Sequence, residues 1–138
     1  ETTCNLWSVY IHETLLNLPT RTEGRLGPQM RNQRRRGYLN GGANFSESWN
    51  VWVALDTYLQ LQEGFGWALY SDLFTAYRNE SNASQGSAQD RIDEWITRTS
   101  NYTQRNLVPF YEAWGFPITP AVREALRDLP EWQDNPMR

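Results

Sequence analysis

The sequence predicts an all-α fold, and two observations carry the prediction. Apolar residues recur at helical spacing in residues 49–63, 67–78 and 90–103, each set opposed by polar side chains. No stretch alternates apolar and polar residues over a length that a strand would need. We therefore expect a bundle of six or seven helices.

Composition narrows the class of protein. The 138 residues carry a net charge of −3, which argues against a dedicated nucleic-acid binder, whose affinity rests on neutralising phosphates. No apolar run approaches the ~20 residues of a membrane span, so we expect no transmembrane segment. The single cysteine, Cys4, excludes an internal disulfide, and we expect a packed thiol in a reducing compartment.

The first predicted helix, residues 1–18, carries the most apolar surface of the chain. Its apolar residues spread around most of the circumference, so we expect an inner helix. Glu1, Asn5, Ser8 and His12 form the one polar stripe on it. That stripe is either the edge that reaches solvent or one wall of a site, and the pattern leaves both interpretations open.

The chain lacks the ligands of a complete zinc site. His12-Glu13 resembles the start of a His-Glu-x-x-His motif, but Leu16 stands where the second histidine would have to be. With one histidine and one cysteine, the chain cannot supply three or four ligands by itself. We therefore expect no zinc in the isolated chain.

The remaining helices follow from local signals. Residues 29–39 form a short basic helix with Arg31, Arg34, Arg35 and Arg36, which is either a solvated face or a patch for an anionic partner. In residues 49–63 the apolar stripe includes Trp52, and Asp56, Gln60 and Glu63 lie on the polar side. Residues 79–89 read as a loop. Asn106 caps a short helix that contains Pro109, and Thr119-Pro120 starts the last one.

Several motifs carry a resemblance to a known family. They are ETTCNLW at residues 1–7, HET at 12–14, TYLQLQE at 57–63 and LPEW at 129–132. With the blocks 1–18, 52–67 and 106–117, they resemble the C-terminal helical part of the enhancin-like, mucinase-type zinc metallopeptidase domain. Within that family the chain is most similar to the vertebrate TRP-channel-associated factors, and the resemblance is weak in residues 19–48 and 79–90. It implies that residues 1–138 are a helical subdomain of a larger peptidase-like domain.

The resemblance also implies a role for the polar stripe. In peptidases of this family, a His-Glu-x-x-His helix supplies two zinc ligands and the general base, and a glutamate on a later helix supplies the third ligand. By its place at the head of a helix Glu1 matches that glutamate, so it would bind zinc only in the parent domain with an intact upstream motif. Asn5, Ser8 and His12 would then face the active site.

Two functions from different classes follow from the resemblance. Likeness to the channel-associated factors implies a non-catalytic domain of a cytoplasmic protein, peripheral to the plasma membrane, that binds a TRP-family channel and regulates its trafficking or gating. Likeness to the mucinases implies part of a secreted gluzincin-type metallopeptidase acting on mucin-like glycoproteins. As an inner helix of a larger domain, residues 1–18 would also leave an uncovered side, through which we expect the isolated chain to self-associate.

Overall fold

The computed structural model describes residues 2–80 and 86–138, and within them the fold is all-α. The described ranges contain seven α-helices, one π-helical turn and one 3-10 turn, joined by loops, and a single isolated bridge pairs Asn106 with Glu131. In chain order the elements are α1 (Thr2–Tyr10), the π-turn (Ile11–Leu15), the 3-10 turn (Gly24–Leu26), α2 (Pro28–Asn40), α3 (Val51–Phe65), α4 (Ala68–Asn79), α5 (Ala88–Thr103), α6 (Val108–Ala113) and α7 (Pro120–Leu126). The predicted all-α class and helix number are therefore confirmed.

The chain divides into two units, residues 1–61 and 62–138, which are described separately. The loop expected over residues 79–89 lies between the end of α4 and the start of α5, and its residues 81–85 lie outside the described residues. Among the helices that are described, none combines the length and the apolar character that crossing a bilayer requires.

In the first unit, the predicted inner helix over residues 1–18 is only half correct. α1 ends at Tyr10, and the backbone widens into the π-turn, in which Leu16 N–H donates to the Ile11 carbonyl at 3.0 Å. Leu6 and Val9 are buried as expected. The apolar side chains beyond α1 are instead exposed: Ile11 44 %, Leu15 69 %, Leu16 55 % and Leu18 49 %. The expected self-association through residues 1–18 stays a prediction.

Cys4 is exposed, so the expectation of a packed thiol is wrong. The residues that α1 does bury, Leu6 and Val9, are three apart and lie on one face of the helix. Cys4 falls outside that face. Periodicity alone missed this because it counted the thiol as one more apolar position in a helix expected to be buried on all sides.

α3 buries polar residues that the pattern predicts to face solvent. Asp56 and Gln60 are 3 % and 6 % exposed, whereas Trp52, predicted on the apolar stripe, is only half-buried. From Val53 to Leu61 nearly the whole circumference is buried. Asp56 can be buried because arginines of α2 neutralise its carboxylate.

The second unit follows the sequence pattern closely. On α4 Leu69, Tyr70 and Leu73 are buried, as predicted for the apolar stripe. The Tyr70 ring also stacks on Trp95 of α5, with ring centroids 6.4 Å apart. Side-chain caps start two of the later helices: Ser87 and Asp90 form a capping box at α5, and Thr119 Oγ1 accepts from Val122 N–H at α7. At α6 the N-cap position is Leu107 and not the predicted Asn106, although Asn106 Oδ1 accepts from Val108 N–H at 3.0 Å.

The core of the second unit contains one position where only glycine fits. Phe110, Tyr111 and Trp114 are fully buried, and the Trp132 indole packs on Phe65 and Phe110 with centroids 4.8 and 5.3 Å away. A Cβ placed on Gly64 would lie 2.4 Å from Cζ2 of Trp132. The helix therefore meets the indole through the bare backbone of Gly64.

We predict that Gly64→Ala lowers the free energy of unfolding by about 1–3 kcal/mol, because the added methyl group displaces a packed indole. Gly37→Ala is the matched control: this glycine also lies inside a helix, and a Cβ there has no neighbour within 4 Å. It should raise stability by about 0.4–1 kcal/mol through the entropy of the unfolded chain. Urea unfolding of the two variants measures the contrast, and equal midpoints would contradict the packing of Gly64 on Trp132.

Candidate functional site

The predicted polar stripe of α1 lines a cleft within the first unit. The cleft encloses about 310 Å³, and Asn5, Ser8 and His12 contribute one wall. The other lining residues come from the loop before α2 and from α3: Thr20, Glu23, Arg25, Leu26, Trp52 and Leu55, with Val9 of α1. The structure thus brings the three stripe residues together at one cavity, and the function of that cavity stays a prediction.

His12 lies in the π-turn, and its ring has a defined hydrogen-bond partner. Nδ1 lies 2.6 Å from the Ser8 carbonyl oxygen, and since a carbonyl can only accept, Nδ1 carries the proton. In the neutral ring Nε2 is then an acceptor, and no hydrogen bond to it comes from the part of the chain that is described. Single π-helical turns are often found at functional sites.

Arg25 and Trp52 also line the cleft. The Arg25 guanidinium lies 5.3 Å from the centroid of the Trp52 ring, and the Arg34 guanidinium lies 5.6 Å from it. Arg34 Nη1 also donates to the Arg25 carbonyl oxygen at 2.8 Å. Arg34 therefore fixes the 3-10 turn that carries Arg25, and the indole supports both cations.

The four arginines of α2 are placed in different environments. Arg34 binds both oxygens of Asp56, with Nε at 2.8 Å and Nη2 at 3.0 Å, and Arg31 Nε donates to the same carboxylate at 3.1 Å. Arg35 donates to Asn32, and Arg36 is exposed. Arg31 and Arg34 are thus held by an anion of their own chain, while binding of an external anion by this patch stays untested.

Glu13 fastens the loop before α2 to the π-turn. Its Oε1 accepts from Thr20 Oγ1 at 2.6 Å and from Arg21 Nε at 2.8 Å, and its Oε2 accepts from Arg21 Nη2 at 2.7 Å. Burial raises the pKa of Glu13, but the hydrogen bonds from Arg21 and Thr20, together with the charges of Arg21 and Arg31, lower it more, so the pKa lies below the ordinary 4.5. The ionised clasp keeps the loop that carries Glu23 and Arg25 next to His12.

The zinc ligand implied by the resemblance, Glu1, lies outside the described residues. The residues that are described contain no group of three or more histidine, cysteine, aspartate and glutamate side chains placed to hold a metal ion. The absence of zinc from the isolated chain stays a prediction.

Sequence reasoning missed four lining residues of the cleft, Thr20, Glu23, Arg25 and Leu26. All four lie in residues 19–28, which the sequence predicts to be a polar loop without a motif. No local signal points to Arg25, because its partner Trp52 lies 27 positions further along the chain. No signal in the sequence places a π-turn at His12-Glu13.

Comparison with known proteins gives a consistent result. The sequence model of the family described as Peptidase M60, enhancin and enhancin-like matches residues 1–115. The chain is 48 % identical to TRPM8 channel-associated factor 3 of Rattus norvegicus, 48 % to TRPM8 channel-associated factor 1 of Homo sapiens and 47 % to TRPM8 channel-associated factor 2 of Homo sapiens. Each match covers all of this chain and 15 % of the relative's length. No solved structure matches the chain.

We predict that Asp56→Asn lowers the free energy of unfolding by about 2–4 kcal/mol, because an amide removes the negative charge that Asp56 places against the half-buried guanidinium groups of Arg31 and Arg34. Glu124→Gln is the matched control, since Glu124 pairs with Arg127 and both side chains are mostly exposed. That variant should stay within about 0.5 kcal/mol of the parent chain. Urea unfolding at pH 7 compares them, and equal losses would mean that the Asp56 pairs contribute no more than a surface pair.

We also predict a pH dependence that comes from Glu13. Because its folded pKa is lowered, the unfolded state binds more protons between the two pKa values, so the stabilisation is present above pH 4.5 and is lost as pH falls through the folded pKa. In Glu13→Gln the stability should fall less steeply as pH decreases below 4.5, and Arg21→Gln should reduce the steepness in the same way. Thermal unfolding from pH 7 down to pH 3 measures this slope, and an unchanged slope in Glu13→Gln would refute the clasp.

Proposed function

Because the chain belongs to the Peptidase M60, enhancin and enhancin-like family, we propose that it is a helical part of a peptidase-like domain that acts by binding another protein rather than by catalysis. The observation that carries this proposal is the 45–48 % identity, over the full chain, to proteins named as TRPM8 channel-associated factors. The chain spans 15 % of the length of those relatives, so the partner and the regulation are proposed for the protein that contains it.

The partner that we propose is a TRP-family channel of the TRPM8 type. Binding would occur on the cytoplasmic side, with the protein peripheral to the plasma membrane, and would alter the trafficking or gating of the channel. The cleft of the first unit supports a binding function, since it combines an apolar floor, formed by Val9 and Leu55, with hydrogen-bonding groups of Asn5, His12 and Arg25 at its walls. Concave, mostly apolar sites with a few polar groups are the usual form of a specific binding site.

The second candidate is an active zinc metallopeptidase that acts on mucin-like glycoproteins. It is favoured by the family match, which includes residue 1 and therefore the glutamate that would supply the third zinc ligand. In that case Asn5, Ser8 and His12 would orient a substrate beside the metal. The metal, when bound in the parent domain, would activate a water molecule for attack on a peptide carbonyl.

The test uses the full-length protein that contains this chain. Co-expressed with TRPM8, it should co-precipitate with the channel and change the surface amount or the current of the channel, while an unrelated channel at matched expression serves as the control. The same purified protein is then assayed for zinc content and for cleavage of mucin. Zinc-dependent cleavage without channel association would overturn the binding proposal in favour of the peptidase.

A further inference from the structure

Arg25 is the arginine among the residues that line the cleft. Its backbone is held by the hydrogen bond from Arg34 Nη1 to its carbonyl oxygen, and its guanidinium lies over the Trp52 ring. No carboxylate within the described ranges forms an ion pair with it, in contrast to Arg21, Arg31 and Arg34, which bind Glu13 or Asp56. A guanidinium that stacks on an aromatic ring keeps its N–H edges free for a bidentate anion. The Arg25 side chain is exposed, and its contact with the Trp52 ring restrains it, which reduces the conformational entropy lost on binding.

The other groups in the cleft define what kind of anion fits. His12 Nε2 is an acceptor in the neutral ring, and the Asn5 amide offers both a donor and an acceptor. Glu23 adds a negative charge to the same lining. Glu23 repels any anion bound at Arg25, whether phosphate or carboxylate. A ligand that carries N–H groups beside its anionic group can offset this repulsion by donating to Glu23, His12 and Asn5. The end of a peptide has such N–H groups beside its carboxylate, whereas a phosphate group offers at most one donor.

The size and the floor of the cleft limit the rest of the ligand. A volume of about 310 Å³ is at the small end for ligand sites, and it suits one or two residues of a peptide rather than a folded surface. Val9, Leu55 and Leu26 line it together with the Trp52 ring, so the part of the ligand next to the carboxylate should be apolar. Backbone N–H groups beside a terminal carboxylate would match the acceptors on the walls.

We propose that this cleft captures the free C-terminal carboxylate of a partner polypeptide with an apolar last residue. Arg25 binds the carboxylate, Trp52 and the aliphatic floor contact the last side chain, and His12 and Asn5 bind the adjacent backbone. Capture of a chain terminus is a recurring mode of peptide recognition. This inference rests on the proposed binding function and names the chemical group that the partner presents.

The test is calorimetric titration of the full-length protein with N-acetyl-Gly-Ser-Gly-Ala-Leu that has a free C-terminal carboxylate. The same peptide as a C-terminal amide should bind at least about tenfold more weakly, and Arg25→Gln should weaken the free acid by about 10- to 100-fold. Arg36→Gln is the matched control, because Arg36 is an exposed arginine of the same unit that does not line the cleft, and it should leave binding unchanged. Near-UV dichroism verifies the fold of each variant, and Arg25→Lys replaces Arg25→Gln if that variant unfolds.

Three results would overturn the inference. If the C-terminal amide bound as tightly as the free acid, the carboxylate would not be the group that the cleft recognises. N-acetyl-leucine binding as tightly as the peptide would identify a small carboxylate instead of a polypeptide end. Displacement of the peptide by millimolar inorganic phosphate would identify a phosphate site. The titration contains no channel, so its failure leaves the proposed channel association intact, and loss of channel association leaves the titration unaffected.

Discussion

The ion pairs of Asp56 with Arg31 and Arg34 are the interaction on which the first unit depends. A buried carboxylate without a partner would cost several kcal/mol, and two guanidinium groups on one carboxylate offset that cost through three hydrogen bonds. They hold α2 against α3 at a position where α3 has almost no exposed surface. Arg34 then reaches beyond the carboxylate to the Arg25 carbonyl and the Trp52 ring. The ion pairs of Asp56 thus support both the packing of α3 and a wall of the cleft.

The sequence was sufficient where the signal is local. α2 and α4 lie within one residue of their predicted ranges, 29–39 and 67–78, and α7 begins at the predicted Thr119-Pro120. The local signals are a proline in the first turn of α2 and of α7, the Thr119 cap and the apolar stripe of α4. The apolar face of α4 is buried as predicted, since a helix with one strongly apolar side can pack in only one orientation.

Long-range partners could not be read in this way. Asp56 looks like a solvent-facing residue until it is known that α2, more than 20 residues earlier, returns with two arginines. For the same reason, the sequence left open whether the arginines of α2 form a solvated face or bind an external anion. Ile11 and Leu15 lie in the π-turn and are exposed, although the sequence predicts that they belong to an inner helix. No rule based on composition predicts such a change of helical pitch. The sequence pattern also did not predict that Arg25 and the polar stripe of α1 would line the same cleft.

The cleft combines a helical frame with a loop. Two of its sides are formed by α1 and α3, whereas Glu23 lies in the loop before α2 and Arg25 lies in the 3-10 turn. Loops accept substitutions that buried helices do not, so the charged groups of such a cleft can change while its helical sides are kept. The ligand of the cleft is therefore decided by the groups that line it rather than by the fold. The Glu13 clasp links the two parts, because it ties Thr20 and Arg21 of the loop to the π-turn that presents His12.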